Sequence, residues 1–195
     1  MIAIEGNIGS GKSTILAKLN KFGYNTVSES VNSWNKDKWL EDFYESPEEF
    51  GFPFQMQVLH SHLTNELDTK CLCFTERSAY TSHNCFGRLL YEDNLVSRRN
   101  FYLMNGFYES FNKLPKKIIY LQSDPKVCLE RIHTRGRESE SNMSIDYLDK
   151  LHNKHEKYLI DDAPDCEVIR INGNLPEKEV FEKVTQLIKS GLFIN

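Results

Sequence analysis

The run Ile2-Ala3-Ile4-Glu5 passes without interruption into Gly6-Asn7-Ile8-Gly9-Ser10-Gly11-Lys12-Ser13-Thr14, a complete G-x-x-x-x-G-K-S behind an apolar, β-branched stretch. Glycines let the backbone turn its N–H groups inward onto phosphate oxygens, and the helix that follows adds the positive end of its dipole. Lys12 is then placed to reach β- and γ-phosphates and Ser13 to ligate Mg²⁺. The mechanism needs strand, loop and helix in that order, and so restricts the fold to a sheet whose strand ends open onto a ligand.

The remaining chain supplies such a sheet. Short apolar runs bounded by turn residues occur at MIAIE, YNTVSE, CLCFTE, KKIIYLQ and CEVIRIN. Segments with helical spacing lie between them at 13–22, 35–43, 47–69, 78–93, 98–113, 125–135, 144–159 and 175–190. Strands alternating with helices predict an α/β fold, a P-loop type of five-stranded parallel sheet flanked by helices. No repeat, low-complexity tract or linker-like segment interrupts the chain, so its 195 residues are expected to form a single domain, 1–195.

A net charge of −4 supplies no basic excess for a nucleic-acid polymer, and no apolar run is long enough for a membrane span. The strand begins at the first methionine, leaving no targeting segment, which predicts a cytoplasmic protein. Five cysteines without C-x-x-C suit a reducing compartment, with Cys71 and Cys73 expected in the core.

The carboxyl ends of parallel strands are where chemistry is expected. Glu29, after the second strand, is placed to take the proton of an attacking hydroxyl. Glu76-Arg77, after the third, offers an acid for the Mg²⁺ shell and a guanidinium for the hydroxyl or the transferring phosphoryl. Arg131 and Arg135 share a helical face and Arg137 enters a glycine-softened polar loop, the makings of a lid at about 131–142 over a triphosphate. Phe54, Gln55, Val58 and His62 share one face of the long helix, where the Gln55 amide can grip the edge of a planar base, and Trp34 and Phe86 are available as stacking plates. A GTPase switch is disfavoured: NKDK and NKHE lack the Asp of N-K-x-D, and there is no D-x-x-G.

Together EGNIGSGKST, Glu29 with Trp34, FYESPEEFGFPFQ, TERS and LERIHTRGRESES…YLDKLHNKHEKYLI resemble the deoxyribonucleoside kinases of the deoxycytidine, deoxyguanosine and mitochondrial thymidine kinase type, from residue 1 to about 160. The resemblance implies ATP with Mg²⁺ as phosphate donor, a deoxyribonucleoside as acceptor and a homodimer. It implies that Glu29 is the base for the 5′-hydroxyl, Arg77 holds that hydroxyl and Glu76 helps place Mg²⁺. It further implies that Gln55 pairs with the base between Trp34 and Phe86, with Phe54 nearby, and that Tyr44 and Glu140 grip the 3′-hydroxyl. Three positions depart from the pattern: Ser30 replaces Pro, Ser139 an acid, and His62 the usual Met or Arg. Ser82 stands where purine-accepting members carry Asp, and with Val58 limiting depth this predicts a preference for thymidine and deoxycytidine. The alternatives are a nucleoside-monophosphate kinase such as thymidylate kinase, and a nucleotide-dependent binding module.

Overall fold

The computed structural model describes residues 1–68, 73–111 and 114–191. Five strands, β1 (Ile2–Glu5), β2 (Thr26–Val27), β3 (Phe74–Glu76), β4 (Lys117–Gln122) and β5 (Glu167–Asn172), form one parallel sheet in the order β2-β3-β1-β4-β5. The central strand β1 is buried on both faces because helices cover both. Ile2 and Ile4 join Ile15, Leu16 and Leu19 of α1 (Lys12–Lys21) and Val180 and Val184 of α10 (Glu177–Lys189). Ala3, on the opposite face, packs with Ile118, Tyr120 and Leu159. That period of two is what a doubly covered strand requires.

The helices between β2 and β4 form a second core. α2 (Val31–Lys36), α3 (Trp39–Glu45), α4 (Pro47–Asp68), α6 (Arg88–Glu92) and α7 (Arg98–Phe111) bring together Trp34, Leu40, Phe43, Phe54, Leu59, Leu90 and Met104. α8 (Pro125–Arg135) and α9 (Ile145–Glu156) return the chain across the other side of β4. No helix among the described residues is long and apolar enough to cross a membrane.

The helix expected at 35–43 is replaced by α2 and α3, which are separated by Lys38 at φ +60°. In one straight helix Trp34 and Leu40 would point about 120° apart; the break lets both enter the second core. The segment expected at 78–93 is helical but not uniform: α5 (Ala79–Thr81) and α6 flank a π-helical turn, Ser82–Gly87. β2 keeps only two residues of its expected six, since only β3 pairs with it, and the chain beyond Val27 leaves the sheet. Cys73 is buried, whereas Cys71 lies outside the described residues.

Candidate active site

The carboxyl ends of β1, β2 and β3 open into a cavity of about 710 Å³, lined by Ile8, Gly9, Ser10, Gly11, Ser13 and Thr14 at one end and by Trp34, Phe54, Val58 and Phe86 at the other. The cradle is shaped by close approach. A Cβ at Gly9 would lie 2.4 Å from the Cys128 carbonyl oxygen, and one at Gly6 2.7 Å from that of Leu121; both glycines also have positive φ. Gly6 and Asn7 stand behind the cavity wall. Asn7 donates from Nδ2 to the Leu148 carbonyl (2.8 Å) and accepts from the Ile8 N–H, clamping the loop to α9.

Lys12 is buried and donates to the Asn7 carbonyl at 2.7 Å. Burial, with the nearby charge of Arg77, pushes its amine down to about 8. The Ser10 hydroxyl is buried without a partner among the described residues, a donor left over for a phosphate oxygen. Ser13 donates to Glu76 Oε1 at 2.6 Å. A hydroxyl and a carboxylate side by side make a hard-oxygen pair that suits Mg²⁺ with its waters and phosphates. The cradle thus fits a nucleoside triphosphate with Mg²⁺.

Glu29 and Arg77 form an ion pair at 3.2 Å at the cavity wall. Arg77 adopts φ +63°, a backbone that is costly for any residue with a side chain and is typical of functional sites. The turn is held by its N–H donating to the Ile4 carbonyl (3.1 Å) and Nη1 donating to the Gly6 carbonyl (2.9 Å). Its guanidinium also lies 4.5 Å from the centre of the Phe86 ring. Sequence reasoning passed over Glu5, which is fully buried at the end of β1 and accepts hydrogen bonds from Ser78 (2.6 Å) and Thr81 (2.7 Å). Burial raises its carboxyl to about 7, against the opposing pull of Arg77 and the two hydroxyls. The available signal was an acid closing an otherwise apolar strand.

At the apolar end Gln55 Nε2 donates to the Ser82 carbonyl at 2.7 Å. Trp34 meets Phe54 edge-on, with ring centres 5.6 Å apart, and donates to Ser61 at 3.3 Å. His62 departs from its expected place. It is buried behind Trp34, outside the cavity lining, with Nε2 3.8 Å from Glu29, because its position two turns along α4 from Gln55 falls level with the ion pair. Burial drives its imidazole down to about 3, so it is neutral.

α8 ends at Gly136 with φ +65°, and the loop beyond it folds back as a 3₁₀ turn, Glu138–Glu140. The buried Glu140 accepts from both Arg135 and Arg137, the second at 3.2 Å. Arg131 is held differently. It lines the cavity from within α8, but its guanidinium donates to the Gly173 carbonyl at 2.9 Å, so the free loop begins after Arg135 rather than at residue 131. Tyr44 lines the cavity near Glu140 and Tyr147, and burial raises its hydroxyl well above the ordinary value. Tyr147, another lining residue, carried no sequence signal beyond helical spacing.

The family model described as deoxynucleoside kinase matches residues 2–192. Protein 143R of Invertebrate iridescent virus 6, which is named as a kinase, is 33% identical over 190 residues, covering 96% of each chain. The fowlpox virus protein named probable deoxycytidine kinase FPV151 is 30% identical over 184 residues, covering 89% of this chain and 78% of its own. Human deoxycytidine kinase is 28% identical over 234 aligned positions, covering 98% of this chain and 90% of its own.

Proposed function

The chain belongs to the deoxynucleoside kinase family, and we propose that it is a single-domain enzyme transferring the γ-phosphoryl group of ATP to the 5′-hydroxyl of a deoxyribonucleoside, pyrimidines being preferred. The observation that carries this reading is the Glu29–Arg77 pair at the wall of the cavity that also holds the cradle. The carboxylate accepts the 5′-hydroxyl proton as that oxygen bonds to phosphorus, and the guanidinium holds the oxygen in line. Lys12, Arg135 and Arg137 balance the charge that gathers on the transferring group, while Ser13 and Glu76 are the residues that would hold Mg²⁺. When bound, Mg²⁺ would supply positive charge beside the phosphates. ADP and the nucleoside monophosphate leave, and the proton passes from Glu29 to water. A cytoplasmic location and a homodimeric state belong to the same reading, by family resemblance.

A nucleoside-monophosphate kinase would have to accept an acceptor phosphate beside Glu29, where like charges repel. Incubation with labelled ATP and Mg²⁺ against the four deoxynucleosides and dTMP separates the two: label appears on a nucleoside, and label on dTMP alone would refute the proposal.

At the base end Val58 and Ser82 line the cavity, and Ser82 brings no charge to grip a purine edge. A second ring must displace packed side chains at a cost of about 1–3 kcal/mol. The best pyrimidine deoxynucleoside is therefore expected to exceed deoxyadenosine and deoxyguanosine in kcat/KM by about tenfold or more. Competition kinetics in which deoxyguanosine wins would remove the pocket argument.

Glu140 in this reading receives the 3′-hydroxyl. Glu140→Ala should raise the nucleoside KM, and the penalty should shrink on 2′,3′-dideoxynucleosides, which lack the contact. An equal penalty on both substrates would take Glu140 out of the sugar site.

A further inference from the structure

Glu5 is fully buried at the end of β1 and lies outside the cavity lining. A carboxylate is costly to bury and is retained where its oxygens are engaged. Here both are: Oε1 accepts from the Ser78 hydroxyl at 2.6 Å and Oε2 from the Thr81 hydroxyl at 2.7 Å.

The placement follows from the sheet. Alternate residues of a strand share a face, so Glu5 projects from the same side of β1 as Ala3, which packs with Tyr80. The register pairs Ile4 with Glu76, so the next residues, Glu5 and Arg77, fall level where the two strands end. The chain then enters α5, and Ser78 and Thr81 each meet one oxygen of the carboxylate.

Arg77 sits between β3 and this clasp with φ +63°. A backbone of that kind persists only where its surroundings over-determine it. On the strand side its N–H donates to the Ile4 carbonyl at 3.1 Å, and the Thr75 hydroxyl donates to its carbonyl at 2.9 Å. On the other side the Glu5 carboxylate grips the very next residue and braces it against Thr81. A change of φ at Arg77 would swing the side chain, and with it the guanidinium that touches Glu29 at 3.2 Å.

We infer that Glu5 is a positioning residue: by holding Ser78 and Thr81 it keeps the Arg77 turn in its left-handed conformation and so keeps the guanidinium where the acceptor hydroxyl must be held. This deepens the kinase reading above and rests on it. The work is done by hydrogen bonds, so an uncharged group of the same shape can do it. Burial, which raises the Glu5 carboxyl to about 7, already favours such a group there.

Glu5→Met keeps the length of the side chain and removes both acceptors. With ATP, Mg²⁺ and the best of the four deoxynucleosides, kcat per ADP-binding site should fall about tenfold or more, because a small displacement of a positioning group costs that much. Counting sites by ADP binding separates this from a merely structural defect, which lowers the number of sites and leaves the rate at each. The Kd for ADP should stay within about threefold, since the cradle is held separately, by Asn7 on Leu148 and Lys12 on Asn7. In Glu5→Gln the amide oxygen accepts from Ser78 and Nε2 donates to Thr81, whose hydroxyl can turn to the Ser78 carbonyl 3.4 Å away. This variant should keep at least about a third of the unmodified rate. If Glu5→Met does not fold, Ser78→Ala, which removes one hydroxyl and no charge, decides in its place and should lower the rate per site about threefold or more. Smaller losses than these, a Glu5→Gln rate below the stated fraction, a larger change in ADP affinity, or a loss that vanishes once sites are counted would overturn the inference and leave the kinase reading standing. An unmodified protein that phosphorylates none of the four deoxynucleosides would overturn both.

Discussion

Lys12→Ala is expected to reduce phosphoryl transfer by about 10³-fold or more while leaving the far-ultraviolet circular dichroism unchanged. The fold does not depend on the ammonium. α1 is held by Ile15, Leu16 and Leu19, and the Lys12 ammonium donates to the Asn7 carbonyl of its own loop. What is lost is a preorganised charge at the place where negative charge gathers on the transferring group. Removing a buried cation also spares its desolvation, so the melting temperature should not fall. The lowered Lys12 value of about 8 gives this prediction a pH component. In the free protein the amine keeps its proton below that value and loses it above, so kcat/KM for ATP should decline as pH rises through about 8. Lys12→Arg, always protonated, should remove this alkaline decline even where the altered geometry lowers the rate. Activity in Lys12→Ala within tenfold of the unmodified protein would defeat the assignment.

Glu29→Gln should lower kcat by about 10²-fold or more and change the nucleoside KM only a few-fold. The amide keeps the size of the carboxylate and can still accept from Arg77, so the wall at this point keeps its shape; it cannot take a proton. A loss seen equally in kcat and KM would indicate a binding role instead. The control is Arg77→Lys. It retains charge but not the fork that reaches both Glu29 and the Gly6 carbonyl, and should therefore disturb binding as well as turnover. Single-turnover measurement distinguishes chemistry from product release in both variants.

Residues 6–14 were legible because a phosphate cradle fixes both residue types and spacing, and the structure returns strand, loop and helix there. The parallel sheet followed from buried strands separated by helical segments, and 125–135 came out with the expected bounds, Pro125–Arg135, because Asp124 caps the start and Gly136 ends it. The break at Lys38 was not legible, since a lysine in the left-handed region is chosen by the packing of Trp34 and Leu40, not by its own preference. The π-helical turn at Ser82–Gly87 was equally hidden. A Cβ at Gly87 would lie 2.7 Å from Met104 Cε, so that turn is shaped by a helix distant in sequence. The same limit applies to the site. Spacing put Glu29, Gln55 and Arg77 where a cavity could gather them, and the structure does so. Spacing could not distinguish Gln55 from His62, two turns apart on one face, although the first lines the cavity and the second sits behind Trp34. Glu5 went unnoticed because its role depends on Ser78 and Thr81, whose approach only the β1–β3 register creates.

Among the described residues, the three other than glycine with positive φ, Lys38, Arg77 and Asn94, have different standing for anyone seeking a hardier version of this protein. Lys38 and Asn94 are exposed, and glycine at such a position relieves the backbone at little loss of contact. Arg77 carries the same strain, but its guanidinium touches Glu29, the Gly6 carbonyl and the Phe86 ring. Selection on thermal resistance alone would treat all three sites alike, and at residue 77 it would trade away the working part of the molecule. A stabilisation programme should leave that turn untouched and seek its gains at the other two.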